Sequence, residues 1–304
     1  MLPGLDVVTG AFGYTGRYIA VELLAQGRRV RTLISHPHRP DPFDGRVEVA
    51  PLNFGQPDAL EASLQGAETC YNTYWVRFPH GELTYEKAVE NSKVLISAAA
   101  RAGVRKFVHV SVTNPSQDSP LPYFRGKALV ETALRKSRLP YAIIRPTLVF
   151  GVGDILINNM AWCLRRFPVF AIPGDGSYRL RPVAAEDVAR LAVHAAAQRE
   201  NLILDAQGPD AFTFDELVWL IAQLVRSRAR IVHVAPNLAL SLCRLLGMLV
   251  RDVVLTRQEI DGLMKSLLIS TAPITGTIRL SDWLEENKDQ VGRYYAGELT
   301  RHYR

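Results

Sequence analysis

Short apolar runs alternate with longer segments of helical apolar spacing from residue 5 to about residue 205. Glycine directly follows two of the predicted helices, Tyr18–Gln26 and Glu86–Ala102, as expected of a helix C-terminus. Near-continuous apolar strands between helices predict a parallel sheet with both faces covered. The predicted strands are Leu5–Thr9, Val30–Ile34, Val47–Pro51, Thr69–Thr73, Lys106–Ser111, Tyr141–Arg145 and Leu202–Asp205.

The pattern changes after Phe150. Residues 151–185 are rich in proline, glycine and aromatic residues, which is typical of a segment that leaves a sheet to build a pocket. A predicted helix, Ala185–Ala197, then returns to the sheet with the last strand, and the remainder is largely helical. We therefore predict an α/β fold with a doubly wound parallel sheet and a smaller, mostly helical C-terminal subdomain. The predicted domains are 1–150 with about 185–208, and 151–184 with about 209–304.

Composition narrows the function classes only slightly. Of the 304 residues, 48% are hydrophobic and 22% charged, as in globular proteins with a large core. The net charge of +6 suits an anionic cofactor, a nucleic acid or an acidic lipid surface. The three cysteines form no Cys-x-x-Cys pair, which disfavours a disulfide framework or a metal site. No signal peptide is recognised, and we expect a reducing, cytoplasmic location.

The strongest motif is a glycine-rich turn in VVTGAFGYTGRY, residues 7–18. Gly10, Gly13 and Gly16 follow an apolar strand and open an amphipathic helix, which is the context that a dinucleotide-binding turn requires. Glycines let the backbone approach a pyrophosphate whose charge lies at the helix N-terminus. The turn predicts a nicotinamide dinucleotide as cofactor. The other turn residues expected to contact it are Phe12, Tyr14, Thr15 and Arg17.

The end of the second strand bears on which nicotinamide cofactor binds. NAD-binding folds usually place an acidic residue there for the adenosine ribose, but residues 29–40, RVRTLISHPHRP, contain none before Asp41. Ser35, His36 and Arg39 stand where a 2′-phosphate would lie, and Arg17 could join them. We therefore expect NADP(H) to be preferred over NAD(H). The alternative is that these polar residues only solvate a loop.

Six segments together carry a resemblance to a known family. They are VVTGAFGYTGRY, RVEVAPLNF (46–54), KFVHVSVTNPS (106–116), PYFRGKALVE (122–131), PYAIIRPTLVFG (140–151) and RPVAAEDVARLAVHAAA (181–197). They span about two-thirds of the chain, which resembles the extended or atypical branch of the short-chain dehydrogenase/reductase superfamily. Within that branch the chain is most similar to the group around the nucleotide-binding accessory subunit of respiratory complex I. NmrA-type redox sensors are more distant.

The resemblance implies a Rossmann sheet and further cofactor contacts. Asn53, beside Phe54, stands where the family usually has an Asp that touches adenine. The implied residues along the path from adenosine to nicotinamide are Asn72, Thr73 and Tyr74. Those implied beside the nicotinamide are Pro146, Thr147, Leu148 and Val149.

Candidate catalytic residues open the helix between the fifth and sixth strands. Tyr123 and Lys127 form the only Tyr-x-x-x-Lys in the chain, and their spacing puts both on one helix face. A nearby ammonium favours tyrosinate, which can exchange a proton while hydride moves. The resemblance implies that the lysine also bonds the nicotinamide ribose. Either Ser111 or Thr113 would hold the substrate oxygen, although the 12 residues from Ser111 to Tyr123 are fewer than in extended relatives.

Two classes of function remain open. One is an NADP(H)-dependent oxidoreductase, or an epimerase- or dehydratase-like enzyme, acting on a small hydroxyl or carbonyl compound. The other is a non-catalytic NAD(P)H-binding sensor or accessory protein docked on a partner. The apolar segment 238–255 could be a lid, a protein-partner face or a membrane-surface contact. Nucleic-acid binding is not expected, because the basic residues are scattered and carry no known motif.

Overall fold

The computed structural model describes residues 4–35 and 40–299. Two predicted cofactor contacts, His36 and Arg39, lie outside this part of the chain. The chain divides into two compact units, one of residues up to Pro146 with Ala185–Ala206, the other of Thr147–Ala184 with the residues from Gln207 onward.

The first unit contains a seven-stranded parallel sheet with the order β11-β6-β5-β4-β1-β2-β3. Its strands are β1 (Leu5–Thr9), β2 (Arg29–Ile34), β3 (Val47–Pro51), β4 (Ala67–Asn72), β5 (Lys106–Val110), β6 (Tyr141–Pro146) and β11 (Leu202–Ala206). Its helices are α1 (Tyr14–Ala25), α2 (Pro57–Leu64), α3 (Tyr85–Arg101), α4 (Pro122–Lys136) and α6 (Ala185–Ala197). The strand order reverses at β1 and β4, as in a doubly wound sheet. The predicted fold class is confirmed.

The core of the first unit explains why apolar runs became strands. One cluster takes a fully buried side chain from each of five strands: Val7, Leu33, Cys70, Phe107 and Ile143. Burial from both faces requires strands that are apolar throughout, and every residue of β1 and β5 is buried. The sheet thereby holds its carboxyl edge, where the predicted site residues lie, on a rigid base.

The second unit combines helices with three two-stranded sheets. Its strands are β7 (Leu148–Phe150), β8 (Val169–Pro173), β9 (Arg179–Leu180), β10 (Pro182–Ala184), β12 (Phe212–Thr213) and β13 (Arg230–Val234). Its helices are α5 (Leu156–Arg166), α7 (Phe214–Leu224), α8 (Pro236–Val250), α9 (Arg257–Met264) and α10 (Leu280–Asn287). Within the described residues, no helix has both the length and the apolarity needed to cross a membrane.

Two predicted boundaries differ from the structure. The first unit ends at Pro146 rather than at residue 150, because β7 pairs in parallel with β10 of the second unit. Helix α1 begins at Tyr14 rather than Tyr18, directly after the glycine turn. The residues between these two starts therefore belong to the first helical turn, where backbone amides lack partners within the helix.

Candidate functional site

The glycine turn joins the end of β1 to the start of α1. Gly10 has a φ of 67°, in the left-handed region that favours glycine. Its N–H donates to the Leu33 carbonyl at 2.9 Å, and the Gly13 N–H donates to the Gly10 carbonyl at 2.8 Å. A Cβ on Gly16 would lie 2.4 Å from the Gly10 carbonyl oxygen. The conformation of the turn therefore requires glycine at Gly10 and Gly16.

The N-terminus of α1 suits a phosphate. Gly13 is the N-cap residue, no side chain caps the helix among the described residues, and the first turn has no acidic residue. The first amides of a helix carry partial positive charge and need an external acceptor. Thr15 is half-buried and Arg17 is exposed in this turn. Pyrophosphate oxygens are acceptors that fit this position.

A hydrogen-bond network fixes the loop that follows β4 against the end of β1. Thr9 Oγ1 accepts the N–H groups of Thr73 at 2.8 Å and Tyr74 at 3.1 Å. Thr73 Oγ1 in turn donates to the Thr9 carbonyl at 2.6 Å. The buried Asn72 amide lies 3.1 Å from Nδ1 of His109 on β5. The predicted residues Asn72 to Tyr74 are thus held at the carboxyl edge of the sheet beside the turn.

Aromatic residues from two loops meet near this edge. The Phe54 and Tyr74 ring centroids are 4.7 Å apart. The Tyr74 hydroxyl accepts from the Asn91 amide at 2.9 Å, and burial raises the pKa of Tyr74. Asn53 Oδ1 accepts the Gly55 N–H at 3.0 Å, which shapes the loop after β3. The structure thus brings Phe54 and Tyr74 together, while the Asn53 carbonyl is used within its own loop.

The described part of the second-strand loop contains two carboxylates, Asp41 and Asp44, and Asp41 is bonded within its own turn. Ser35 directly follows β2 and is exposed. The first acidic residue after it, Asp41, accepts the N–H groups of Phe43 at 2.8 Å and Gly45 at 2.7 Å. Asp41 therefore stabilises its own turn.

The predicted catalytic pair lies at the start of α4, where Pro122 occupies the first turn. Lys127 is buried, and its Nζ donates to the Val110 carbonyl at 2.8 Å. The same Nζ lies 4.7 Å from the ring centroid of Trp75, a cation–π contact. Burial lowers the pKa of Lys127 to about 7, against the opposing effect of the Glu131 carboxylate. This ammonium can therefore lose its proton near neutral pH.

Tyr123 lies in an aromatic cluster with Trp75 and Tyr85. Its ring meets each of the other two edge to face, with centroids 6.0 Å apart in both pairs. Trp75 packs on the α4 backbone, because a Cβ on Gly126 would lie 2.9 Å from its ring. Sequence reasoning missed Trp75 and Tyr85. The available signal was the position of Trp75, directly after the predicted Asn72–Tyr74 loop.

The two candidates for the third catalytic residue differ in their surroundings. Ser111 Oγ donates to Glu131 at 2.5 Å. Glu131 also accepts two bonds from Arg145, at 3.0 and 2.5 Å. By contrast, the Thr113 hydroxyl is buried and has no hydrogen-bond partner among the described residues. Ser111 is therefore already bonded to a carboxylate, whereas the Thr113 hydroxyl makes no hydrogen bond to the described residues. Sequence reasoning also missed Glu131.

The four residues predicted beside the nicotinamide fall in different units. Pro146 ends β6, and its carbonyl accepts the Thr113 N–H at 2.9 Å. Thr147 begins the second unit and donates its hydroxyl to the Arg181 carbonyl. Leu148 and Val149 belong to β7. Pro146 thus belongs to the first unit with the other predicted site residues, whereas Thr147, Leu148 and Val149 belong to the second unit.

The remaining turn residues pack locally. Phe12 is buried with its ring 6.1 Å from that of Phe43, and Tyr14 meets Tyr18 edge to face. No group of three or more His, Cys, Asp or Glu side chains in residues 4–35 and 40–299 is arranged to hold a metal ion. The site chemistry of the first unit therefore comes from the glycine turn, the loop after β4, and α4.

Comparisons with known proteins agree with this geometry. Residues 10–157 match the model of a family described as NAD(P)H-binding. The chain is 25% identical over 237 residues to "NADH dehydrogenase [ubiquinone] 1 alpha subcomplex subunit 9, mitochondrial" of Arabidopsis thaliana, covering 74% of this chain and 59% of that subunit, less than two-thirds of its length. It is 26% identical to a ceramide reductase of Caulobacter vibrioides, covering 76% and 73% of the two chains.

A solved structure shares the fold over almost the whole chain. The triphenylmethane reductase of a Citrobacter species, complexed with NADP(H), superposes with a TM-score of 0.77 at 19% identity, covering 94% of this chain and 99% of that one. The resemblance predicted from the sequence, to atypical short-chain dehydrogenases and the complex I subunit group, is confirmed.

Proposed function

We propose that this chain, whose residues 10–157 match the NAD(P)H-binding family, is an NADP(H)-dependent oxidoreductase acting on a small carbonyl or hydroxyl compound. The observation that carries the proposal is the buried Lys127 ammonium one helical turn from Tyr123. The Thr113 hydroxyl, which follows β5, has no hydrogen-bond partner among the described residues. A structural helix has no need of a buried lysine with a pKa near 7. Strongly perturbed groups of this kind cluster at functional sites.

The cofactor would be held by the first unit. The glycine turn and the amides of α1 would bind the pyrophosphate, and Lys127 would bond the nicotinamide ribose. Bound NADPH supplies a hydride to a carbonyl carbon. The preference for NADP(H) is supported by the Asp41 carboxylate being committed to its own turn and by the exposed Ser35 and Arg17. The NADP(H) complex of the related Citrobacter fold also supports it.

The proton would come from Tyr123. As hydride reaches the carbonyl carbon, the Tyr123 hydroxyl would donate its proton to the carbonyl oxygen, which gives an alcohol. A Lys127 ammonium nearby stabilises the tyrosinate left behind. Thr113 would donate a hydrogen bond to the same substrate oxygen. The Ser111–Glu131–Arg145 network would act indirectly, by fixing the end of β5 from which Thr113 follows.

The test is turnover in a Tyr123→Phe variant. Loss of NADPH absorbance is followed across a panel of small carbonyl compounds. Tyr123→Phe should lower turnover by roughly 10²–10⁴-fold, the usual scale for a positioned general acid, with NADPH affinity unchanged. Tyr294→Phe is the matched control, because Tyr294 is 83% exposed. Wild-type turnover in Tyr123→Phe would refute the catalytic role.

A second candidate function is a non-catalytic NAD(P)H-binding accessory protein. It is favoured by the similarity to a complex I subunit and by Ser111 being bonded to Glu131 rather than available to substrate. On this hypothesis Tyr123→Phe is silent in every assay, and Lys127→Ala weakens only NADPH binding. For either function we propose a reducing, cytoplasmic location, which agrees with Cys70, Cys163 and Cys243 all being free thiols. Fractionation of cells carrying the tagged chain tests the location.

A further inference from the structure

Helix α8 exposes a continuous apolar stripe in the second unit. We call Leu238, Leu242, Leu245, Met248 and Leu249 the α8 stripe; each is between 43% and 71% exposed. Their spacing places them on one side of the helix. The opposite side is anchored through the buried Ala239, Leu240 and Gly247. The stripe is therefore presented outward by a helix that is itself packed.

The charge around the α8 stripe is positive. Residues 236–250 contain no Asp or Glu, and the exposed Arg244 and Arg251 lie within the helix and at its C-terminal cap. The next acidic residue, Asp252, is buried. It accepts the Tyr295 hydroxyl at 3.0 Å and the N–H of Glu298 at 2.8 Å. The nearest carboxylate along the chain thus faces inward, so the arginine charges beside the stripe are not offset by it.

The following helix adds no free negative charge either. Glu259 accepts from the N–H and the hydroxyl of Thr256, both at 2.8 Å, in a capping box at the start of α9. Asp261 pairs with Arg257 at 3.0 Å, and Arg257 also donates to the Asn237 side chain on α8 at 2.7 Å. The surface around α8 therefore combines exposed aliphatic side chains with arginines and with carboxylates that are already bonded.

We infer that the α8 stripe docks on the surface of a bilayer that contains anionic lipids. The stripe is a convex row of leucine and methionine, without the aromatic residues that are enriched in protein interfaces. Acyl chains accept such side chains without directional bonds, and Arg244 and Arg251 can reach lipid phosphates. With 15 residues, α8 would lie in the plane of the interface. The inference does not depend on the proposed catalysis.

Vesicle flotation tests this inference. The purified chain is mixed with vesicles of phosphatidylcholine alone or of phosphatidylcholine with phosphatidylglycerol. The wild type should float with the anionic vesicles, less so as salt is raised. The double variant Leu245→Asp with Leu249→Asp should lose roughly tenfold or more of this binding, because it places charge in the apolar contact. Arg244→Ala should weaken binding to the anionic vesicles only.

A matched control separates docking from general loss of apolar surface. Val21→Asp with Val152→Asp alters two valines that are 51% and 71% exposed outside α8, and should float like the wild type. Circular dichroism and NADPH binding check that both double variants are folded. Wild type that stays unbound with both vesicle compositions would overturn the inference. So would wild type that self-associates through the stripe, as shown by sedimentation, without binding vesicles.

Discussion

The glycine turn and the Tyr123–Lys127 pair both follow strands of the same sheet and open helices, yet they are built differently. In the turn, backbone atoms define the site: a side chain at Gly16 would lie 2.4 Å from the Gly10 carbonyl oxygen. At α4, side chains from distant positions define it. Lys127 is held by the Val110 carbonyl and the Trp75 ring.

On the proposed function, the backbone of the turn binds the cofactor, whereas the side chains at α4 carry the proton transfer. A backbone cradle tolerates few substitutions but is indifferent to pH, since amides do not titrate. A buried lysine can be replaced without a change in the backbone conformation, but the charge of its ammonium group depends on pH and on its neighbours. We therefore expect variants of the turn to fail in folding or binding at every pH, and variants at Lys127 to show pH-dependent effects.

The largest expected effect is at Lys127. The folded chain releases the Lys127 proton near pH 7, whereas a lysine in the unfolded chain keeps its ordinary pKa of about 10.4. Between these values the unfolded chain binds more protons, so wild-type stability rises with pH through this group. Lys127→Met removes this contribution. Its free energy of unfolding relative to wild type should be highest at or below pH 7 and fall by about 1.4 kcal/mol per pH unit above it.

Urea unfolding of wild type and Lys127→Met at several pH values between 6.5 and 10 measures this difference. Titrating groups that do not interact with Lys127 are common to both proteins and cancel. His109, whose pKa is lowered by burial and by Lys127, stays neutral in the folded chain above its usual pKa. Lys127→Arg, which keeps its charge throughout this range, should be less stable than Lys127→Met at every pH. A difference between wild type and Lys127→Met that does not vary with pH would contradict the account of the buried ammonium.

The next effect is at the turn. Gly16→Ala forces a methyl group against the Gly10 carbonyl, so it should lower the free energy of unfolding by about 1–3 kcal/mol at any pH. Gly55→Ala is the control, because its Cβ would make an ordinary 3.4 Å contact with the Asn53 side chain. Denaturant unfolding compares the two. Equal stability of Gly16→Ala and Gly55→Ala would show that the turn relaxes easily.

The smallest expected effect concerns cofactor choice. NADPH should bind more tightly than NADH. Arg39→Ala or Arg17→Ala should lower the ratio of the NADPH affinity to the NADH affinity roughly tenfold, because either change removes a charge-assisted bond to the 2′-phosphate. Arg101→Ala, which alters an exposed arginine paired with Glu61, should leave the ratio unchanged. Calorimetric titration gives both affinities. Tighter binding of NADH to the wild type would reverse the assignment.

Much of the fold could be predicted because its signals are local. The strands β1 and β3 were predicted with their observed bounds, β1 because its apolar run ends directly before Gly10 and β3 because it ends at Pro51. The start of α1 was missed because Tyr14–Arg17 has no apolar periodicity. The boundary at Pro146 was missed because only Thr147 separates β6 from β7, so that the two strands look like one.

The site divides in the same way. The glycine turn is contiguous in sequence, so its spacing together with the strand before it and the helix after it was enough to predict its role. The surroundings of α4 depend on Trp75, Tyr85 and Glu131, which approach Tyr123, Lys127 and Ser111 only through tertiary packing. Sequence reasoning could therefore place Ser111 and Thr113 after the fifth strand, but it could not tell which hydroxyl was already bonded.

The central claim, that the turn binds a nicotinamide dinucleotide, is tested most directly by titrating NADPH into wild type and Gly13→Glu. Gly13 has a φ of −87°, which other residues adopt readily, but a Cβ there would lie 3.0 Å from the Gly10 carbonyl oxygen. The turn must therefore shift by a few tenths of an ångström to accept Glu, and circular dichroism checks that the variant is folded. Its carboxylate would occupy the phosphate position at the start of α1. We predict that NADPH fluorescence reports binding to the wild type and none to a folded Gly13→Glu. Unchanged binding in that variant would contradict the account.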